Sequence, residues 1–380
     1  MCECPLPTAH LIKCLVGIAI AVSSLSQTDA GTPRILVPHA FTGGATDHTS
    51  AVTTAIANAK AVNGTIEFEA GKTYRVSEMR IWRDTGTSDA GTRFIAGIEG
   101  NGAVLKWPEG NTPAANKAML YVYDPQYKGN TGFYIRNLTL DCGNNDIPTD
   151  TQFANRADSG VGLVGTGSTG QLEISDKACD FGLWLYGGEN FLVENVTCLR
   201  AKFPGVRLQC LNNIPLKNVV LRNVMCRYGA NNGFDFRNTT PDAIPNEHIT
   251  FLNCYAHKNQ GKGFELQNAA NLRFIGCGAE QNKSWNVYAD ATVGAVDWLG
   301  GYTEKGNFDH LNDVAAGFPE NKGMKFEDGC GPVRILGGRL MVVSTTVAPV
   351  VNRFSSIPSD TRSGDLTPTT FRPTTPLRNP

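Results

Sequence analysis

The sequence predicts an all-β chain wound as a parallel β-helix, and three observations predict it. A short motif repeats without gaps, its alternation slips at the same place in every copy, and a glycine-led strand follows each slip at a fixed distance. The segments at 191–198, 219–226, 249–256 and 272–279 read FLVENVTC, VVLRNVMC, ITFLNCYA and LRFIGCGA, with an earlier copy, FYIRNLTL, at 133–140. Apolar side chains take alternate places in each, the period of a strand with one buried face. The alternation then shifts by one residue at Asn137, Asn195, Asn223, Asn253 or Gly276. Asn and Gly tolerate the left-handed backbone, so the shift predicts a corner that bends the strand while its apolar face stays inside.

Ten residues after each of the last four corners comes the second element: Gly205-Val-Arg-Leu, Gly233-Phe-Asp-Phe, Gly263-Phe-Glu-Leu and Asn286-Val-Tyr-Ala. Earlier copies read Gly182-Leu-Trp-Leu and Gly160-Val-Gly-Leu. The intervals from position 160 onward are 22, 23, 28, 30 and 23 residues, a repeat length that belongs to solenoids. Each coil then holds three short strands. The extra residues of the two longer coils enter at Leu211–Lys217 and Asn238–Asn246, on one edge, where repeated insertions build the wall of a groove. Stacking puts Leu138, Val196, Val224, Cys254 and Cys277 in one inward column and Leu140, Cys198, Cys226, Ala256 and Ala279 in the next.

At the front, 47–61 reads as an amphipathic helix with Ala51, Val52, Ala55, Ile56 and Ala59 on one face and Asp47 or Thr46 as N-cap. A solenoid needs its open end covered, and this helix is placed to do so. Residues 64–76 follow as two strands about a tight turn.

These front residues carry a resemblance. Asp47, Thr49, Ala51, Ala55-Ile56, Asn63-Gly64, Ile66, Phe68, Glu69-Ala70-Gly71 and Tyr74 resemble the opening of the pectate-lyase-like β-helix superfamily, with Glu69 in place of the usual proline. The resemblance covers roughly 40–345 and implies a single-stranded right-handed parallel β-helix. It says little about the reaction, because one fold hosts several chemistries. The superfamily includes pectin-degrading lyases, polygalacturonase-like hydrolases, uronan epimerases and phage tailspikes. Their catalytic signatures are missing here. Asn232-Gly-Phe-Asp235 is the nearest segment to the paired aspartates of polygalacturonases and has one acid.

The chain therefore divides into a leader at 1–30, a β-helix domain at 31–350 and a Ser/Thr/Pro-rich tail at 351–380 that has no apolar period and is expected to be flexible. The apolar run Leu11–Val22 suits a secretory signal better than a membrane span, which predicts an exported protein with no membrane segment after leader removal. Thirty-four basic residues balance 35 acidic ones, so no overall positive field draws nucleic acid. No cofactor is expected. Asp141, Asp146, Asp150 and Asp158 have the chemistry of a calcium site, though solvated loop carboxylates explain them more simply. Cys198 with Cys226, and Cys254 with Cys277, sit close enough for bridges, while buried thiols acting as small apolar fillers are the plainer reading. The sequon asparagines Asn137 and Asn195 coincide with corners, where a stacked turn amide competes with glycosylation.

The second outward place of the glycine-led strand gives the row Trp184, Arg207, Asp235, Glu265 and Tyr288. Adjacent carboxylates can divide general-acid and general-base roles, and aromatic faces pack on sugar rings. Arg207, Asp235 and Glu265 are thus candidate catalytic residues, with Trp184 and Tyr288 binding substrate. A surface ionic ladder is the bland alternative. A second row holds Arg227, His257 and Glu280, with Lys258 beside it. His257 is a candidate base, and Arg227 and Lys258 are candidate substrate ligands. The expected function is polysaccharide cleavage in a groove along the helix, by hydrolysis or by lyase chemistry. The alternative is a non-catalytic glycan-binding, adhesin or tailspike-like protein. Either a monomer or a homotrimer fits the sequence.

Overall fold

The computed structural model describes residues 31–40, 47–82, 94–108, 117–123, 132–143, 178–210, 214–238, 244–259, 261–282, 284–304, 323–340 and 369–371. Among these, one helix, Thr49–Val62, accompanies two sheets. The glycine-led elements lie in an eight-stranded sheet and the cornered elements in a nineteen-stranded one. From Ala118–Tyr123 onward, successive coils of the chain add one rung to each sheet. The fold is a parallel β-helix.

Strand pairing reproduces the inward columns. Val196 lies opposite Leu138, and Cys198 lies opposite both Leu140 and Cys226. Cys226 then faces Ala256, and Ala256 faces Ala279. Every one of these side chains is buried. Two of the glycines that lead strands of the other sheet show why the residue is small: a Cβ on Gly182 would lie 3.0 Å from Cys198 Sγ, and one on Gly205 3.0 Å from Cys226 Sγ. The eight described cysteines are free, buried thiols, so the bridging alternative is not the state observed. Burial pushes the Cys226 and Cys254 thiols well above their ordinary range, which keeps them protonated and inert.

All five corners take the left-handed conformation, with φ of 55, 52, 53 and 51° at Asn137, Asn195, Asn223 and Asn253 and 64° at Gly276. Their amides stack. Asn195 Nδ2 donates to Asn137 Oδ1 and Asn223 Nδ2 to Asn195 Oδ1, each at 2.9 Å, while Asn137 Nδ2 donates to Glu99. The nitrogen that glycosylation would use is occupied at both sequon corners. One further corner, Asn101-Gly102 within Gly97–Lys106, lies a coil earlier than those the motif shows.

Three expectations are corrected. Spacing placed Gly160-Val-Gly-Leu on the rung before Gly182, but the strand hydrogen-bonded there is Ala118–Tyr123, with Leu120 opposite Leu183. A rung is defined by pairing rather than spacing, and the Gly160 segment lies outside the described residues. The helix starts at Thr49 with His48 as N-cap, because the His48 ring accepts the Arg75 N–H at 3.0 Å and is fixed to the first coil. His48 makes no side-chain cap bond, and the predicted Asp47 supplies one, its Oδ1 accepting the Thr49 N–H at 3.0 Å. The buried face is Val52, Ala55, Ile56 and Ala59, much as periodicity predicts. The tail at 351–380 has no apolar period, yet Thr369–Phe371 pairs antiparallel with Val333–Leu336. Backbone pairing requires no such period. The leader at 1–30 lies outside the described residues. Among those described, no helix is long and apolar enough to cross a membrane.

Candidate functional site

The eight-stranded sheet lines up one outward row over eight rungs: Arg80, Tyr121, Trp184, Arg207, Asp235, Glu265, Tyr288 and Lys325. The structure therefore brings together the five residues of the predicted row and adds three. A second outward row, two residues further along each strand, reads Trp82, Tyr123, Tyr186, Gln209 and Arg237. Arg80, Trp82, Tyr121 and Tyr123 were missed because their strands have no leading glycine. Their period-two alternation was the available signal.

The two rows divide the wall by chemistry. Toward the N-terminal end the rings of Tyr121, Tyr123, Trp184 and Tyr186 meet one another at centroid distances of 5.1 to 6.2 Å. Trp82 extends this patch and is 37% exposed. Phe181 and Phe203 stack beside it, and the Arg207 guanidinium lies 4.3 Å from the Phe181 ring centre. Toward the C-terminal end the wall is charged.

Asp235 is the centre of the charged half, and it is wholly buried although its strand position faces outward. Its Oδ2 accepts Arg207 Nε at 3.1 Å and lies 3.5 Å from Arg237 Nε. Its Oδ1 is buried and has no donor. Glu265, on the next rung, receives Lys262 Nζ at 2.5 Å and Gln267 Nε2 at 3.1 Å on Oε1, and Asn232 Nδ2 on Oε2. The two acids consequently titrate apart. Burial, opposed by Arg207 and reinforced by Glu265, pushes Asp235 up to about 7. Burial also acts against ionised Glu265, but the Lys262 hydrogen bond and charge outweigh it and hold the carboxyl below its usual range. A carboxyl whose proton is held up to near neutral pH beside one held ionised is the arrangement that divides acid and base roles.

This pair has a consequence for stability. A carboxyl that holds its proton more tightly when folded stabilises the fold less as pH rises from its unfolded value, 3.8, through about 7. Glu265 acts in the opposite sense, at lower pH. Thermal midpoints should accordingly decline between roughly pH 5 and 7 because of Asp235, and Asp235→Asn should flatten that slope. An unchanged slope in the variant would remove Asp235 as its source.

The remaining candidates lie on the other sheet. Arg227, His257 and Glu280 are in register there, so they do not share the row of Asp235. His257 has little free capacity as a base. Its Nδ1 accepts Arg227 Nε at 3.2 Å, its Nε2 lies 3.1 Å from Gln281 Oε1, and the Tyr255 ring stacks on it at 5.5 Å. Lys258 is buried, with its Nζ 5.9 Å from the Tyr228 ring centre. Of the suggested calcium set, Asp141 is bound by Arg200, while Asp146, Asp150 and Asp158 lie outside the described residues. Among the described residues no group of three His, Cys, Asp or Glu side chains gathers as a metal site.

No protein-family model matches the chain, and no curated protein sequence matches it. Solved structures are similar to it in architecture only. PfbA, a surface adhesin of Streptococcus pneumoniae, is 11% identical with a TM-score of 0.46, over 81% of this chain and 90% of that one. The gene product 12 N-terminal fragment of bacteriophage phi29 is 14% identical with a TM-score of 0.45, over 76% of this chain. This chain spans 44% of that fragment. The A-module of a mannuronan C-5 epimerase of Azotobacter vinelandii is 16% identical with a TM-score of 0.41, over 82% and 95% of the two chains. The β-helix assignment rests on the strand pairing above.

Proposed function

We propose that the eight-stranded wall binds a polysaccharide lengthwise and that Asp235 and Glu265 hydrolyse it. One observation carries this reading: an aromatic platform and two carboxyls paired on adjacent rungs, Asp235 and Glu265, occupy the same outward rows. Sugar rings would pack on Trp82, Tyr121, Tyr123, Trp184 and Tyr186 through their apolar faces. The next rungs would then present the glycosidic oxygen to Asp235 as acid, with Glu265 as the anionic partner. Tyr288, held by its hydroxyl to Glu327 at 3.0 Å, closes the far side. The insertions read at Leu211–Lys217 and Asn238–Asn246 follow the strands of Arg207 and Asp235 in the chain, and residues 211–213 and 239–243 lie outside the described residues.

Asp235 has no exposed surface, so cleavage requires a covering group to move as the sugar docks. Arg237, whose side chain is 52% exposed, is that group in this reading. The same burial favours a second reading, in which the wall binds a glycan without cutting it. A lyase acting through His257 draws less support, because that ring lies on the other sheet with both nitrogens engaged. The protein would work outside the cell, where such glycans occur.

A screen of neutral and acidic polysaccharides decides among these. Release of reducing ends without ultraviolet-absorbing unsaturated products supports hydrolysis. Unsaturated products would overturn it in favour of elimination. Binding without any cleavage would leave the binder.

A further inference from the structure

The hydrogen-bond count around the carboxyl pair fixes more than its identity. Asp235 Oδ2 faces two guanidinium groups, Arg207 from the preceding rung and Arg237 from its own strand. Its Oδ1 is buried without a donor. A buried carboxylate oxygen in that position is costly unless it carries a proton that it donates elsewhere. Glu265 is the neighbour on the next rung. Both oxygens of Glu265 are already acceptors, from Lys262, Gln267 and Asn232, and these donors favour its ionised form over one that carries its own proton. In a singly protonated pair this arrangement favours the proton on Asp235, with Glu265, its register partner on the next rung, left to accept it.

Two residues outside the acid pair enforce this. Asn232 is buried at the turn before the Asp235 strand and is itself anchored, its Oδ1 accepting the Lys262 N–H at 2.8 Å and its own N–H donating to Asn231 Oδ1 at 2.8 Å. From there its amide reaches up one rung to Glu265. The Lys262 ammonium approaches Glu265 from the turn of the next coil and lies 4.2 Å from the Tyr288 ring centre. Gly261 is required beside them, since a Cβ there would come within 2.4 Å of Asn232 Oδ1.

We propose that Asn232 and Lys262 are positioning residues that hold Glu265 as the acceptor of the Asp235 carboxyl proton. The proposal deepens the hydrolytic reading of this wall, but its measurement does not depend on any glycan. Among the described residues, the charged and titratable groups facing the pair are Arg207, Arg237, Lys262 and Tyr288. Tyr288, Lys325 and Glu327 form a further cluster on the adjoining rungs, where Lys325 Nζ contacts Glu327 at 2.6 Å. Removing the Lys262 cation takes away support for a doubly ionised pair, so the pair must keep its proton to higher pH.

The test is carboxyl-carbon NMR titration of the full chain, labelled on Asp in one sample and on Glu in another. Asp235→Asn and Glu265→Gln assign the signals. In the native protein an Asp signal should titrate near neutral pH while the Glu265 signal stays that of a carboxylate through that range. In Lys262→Met the midpoint should rise by about one pH unit or more, with the Glu265 signal now moving, and Lys262→Arg should restore native behaviour. A native Glu265 that titrates near neutrality, or a Lys262→Met profile identical to native, overturns the proposal. The native titration decides where the proton resides even if a variant does not fold. A fruitless glycan screen would sink the functional reading and leave these titrations untouched.

Discussion

Asp235→Asn should lower glycan cleavage by about 10²–10⁴-fold while changing glycan affinity by no more than a few-fold, the range expected when a positioned proton donor is lost. Asparagine is the right replacement because it imitates the neutral acid. Its carbonyl oxygen can still accept Arg207, now 3.1 Å from Asp235 Oδ2, and its amide can still donate toward Glu265. What it lacks is a proton to give. The fold and the platform of Trp82, Tyr121, Tyr123, Trp184 and Tyr186 should survive, so a loss of rate at constant affinity isolates proton transfer. Initial rates of reducing-end release, paired with calorimetric binding to the same oligosaccharide, measure both quantities. Equal losses of rate and affinity would make Asp235 a structural member of an ionic ladder. Glu265→Gln should be the harsher change to the fold, because Lys262, at 2.5 Å from Oε1, would lose its anion.

The parts of this molecule that could be read from sequence are those where one physical requirement recurs at fixed spacing. The corner asparagines are the clearest. Each must adopt a left-handed φ, and Asn195 and Asn223 each stack their amide on the corner before, so residue type and conformation are tied, and Asn137, Asn195, Asn223 and Asn253 announce themselves. The leading glycines are legible for a second reason, the Cys198 and Cys226 sulfurs beneath Gly182 and Gly205. Once those two signals fix the register, the row through Arg207, Asp235 and Glu265 follows by counting. The method fails where the requirement changes. On the rung below Gly182 the residue in the glycine place is Met119, which is buried. Tyr121 and Arg80 were thereby lost to the count. The protonation of the pair was beyond reach as well. It depends on Asn232 and Lys262, which approach from turns whose geometry no period describes.

The largest effect on stability should come from a residue away from the wall. Arg200 is 5% exposed at the side chain and follows the cornered strand Leu192–Leu199, where the chain turns toward the eight-stranded sheet. It grips Asp141 on the adjacent rung, with Nε and Nη2 on Oδ1 at 2.9 and 2.7 Å and Nη2 on Oδ2 at 2.6 Å. Nη2 also reaches the Gly143 carbonyl at 3.2 Å, and the glycine is needed because a Cβ there would lie 2.6 Å from Arg200 Nε. Arg200→Met would leave the Asp141 carboxylate buried without its cation, a change that costs about 3–5 kcal/mol in comparable buried pairs. Asp141 Oδ1 would keep only the Gly143 N–H, at 3.3 Å. Pairing the change with Asp141→Asn should recover a large part of the loss, since the stranded charge, rather than the missing attraction, supplies most of the cost. Chemical denaturation of the two single variants and the double variant measures this coupling. Strictly additive losses would mean that Arg200 acts through its packing against Gly143 and not through Asp141.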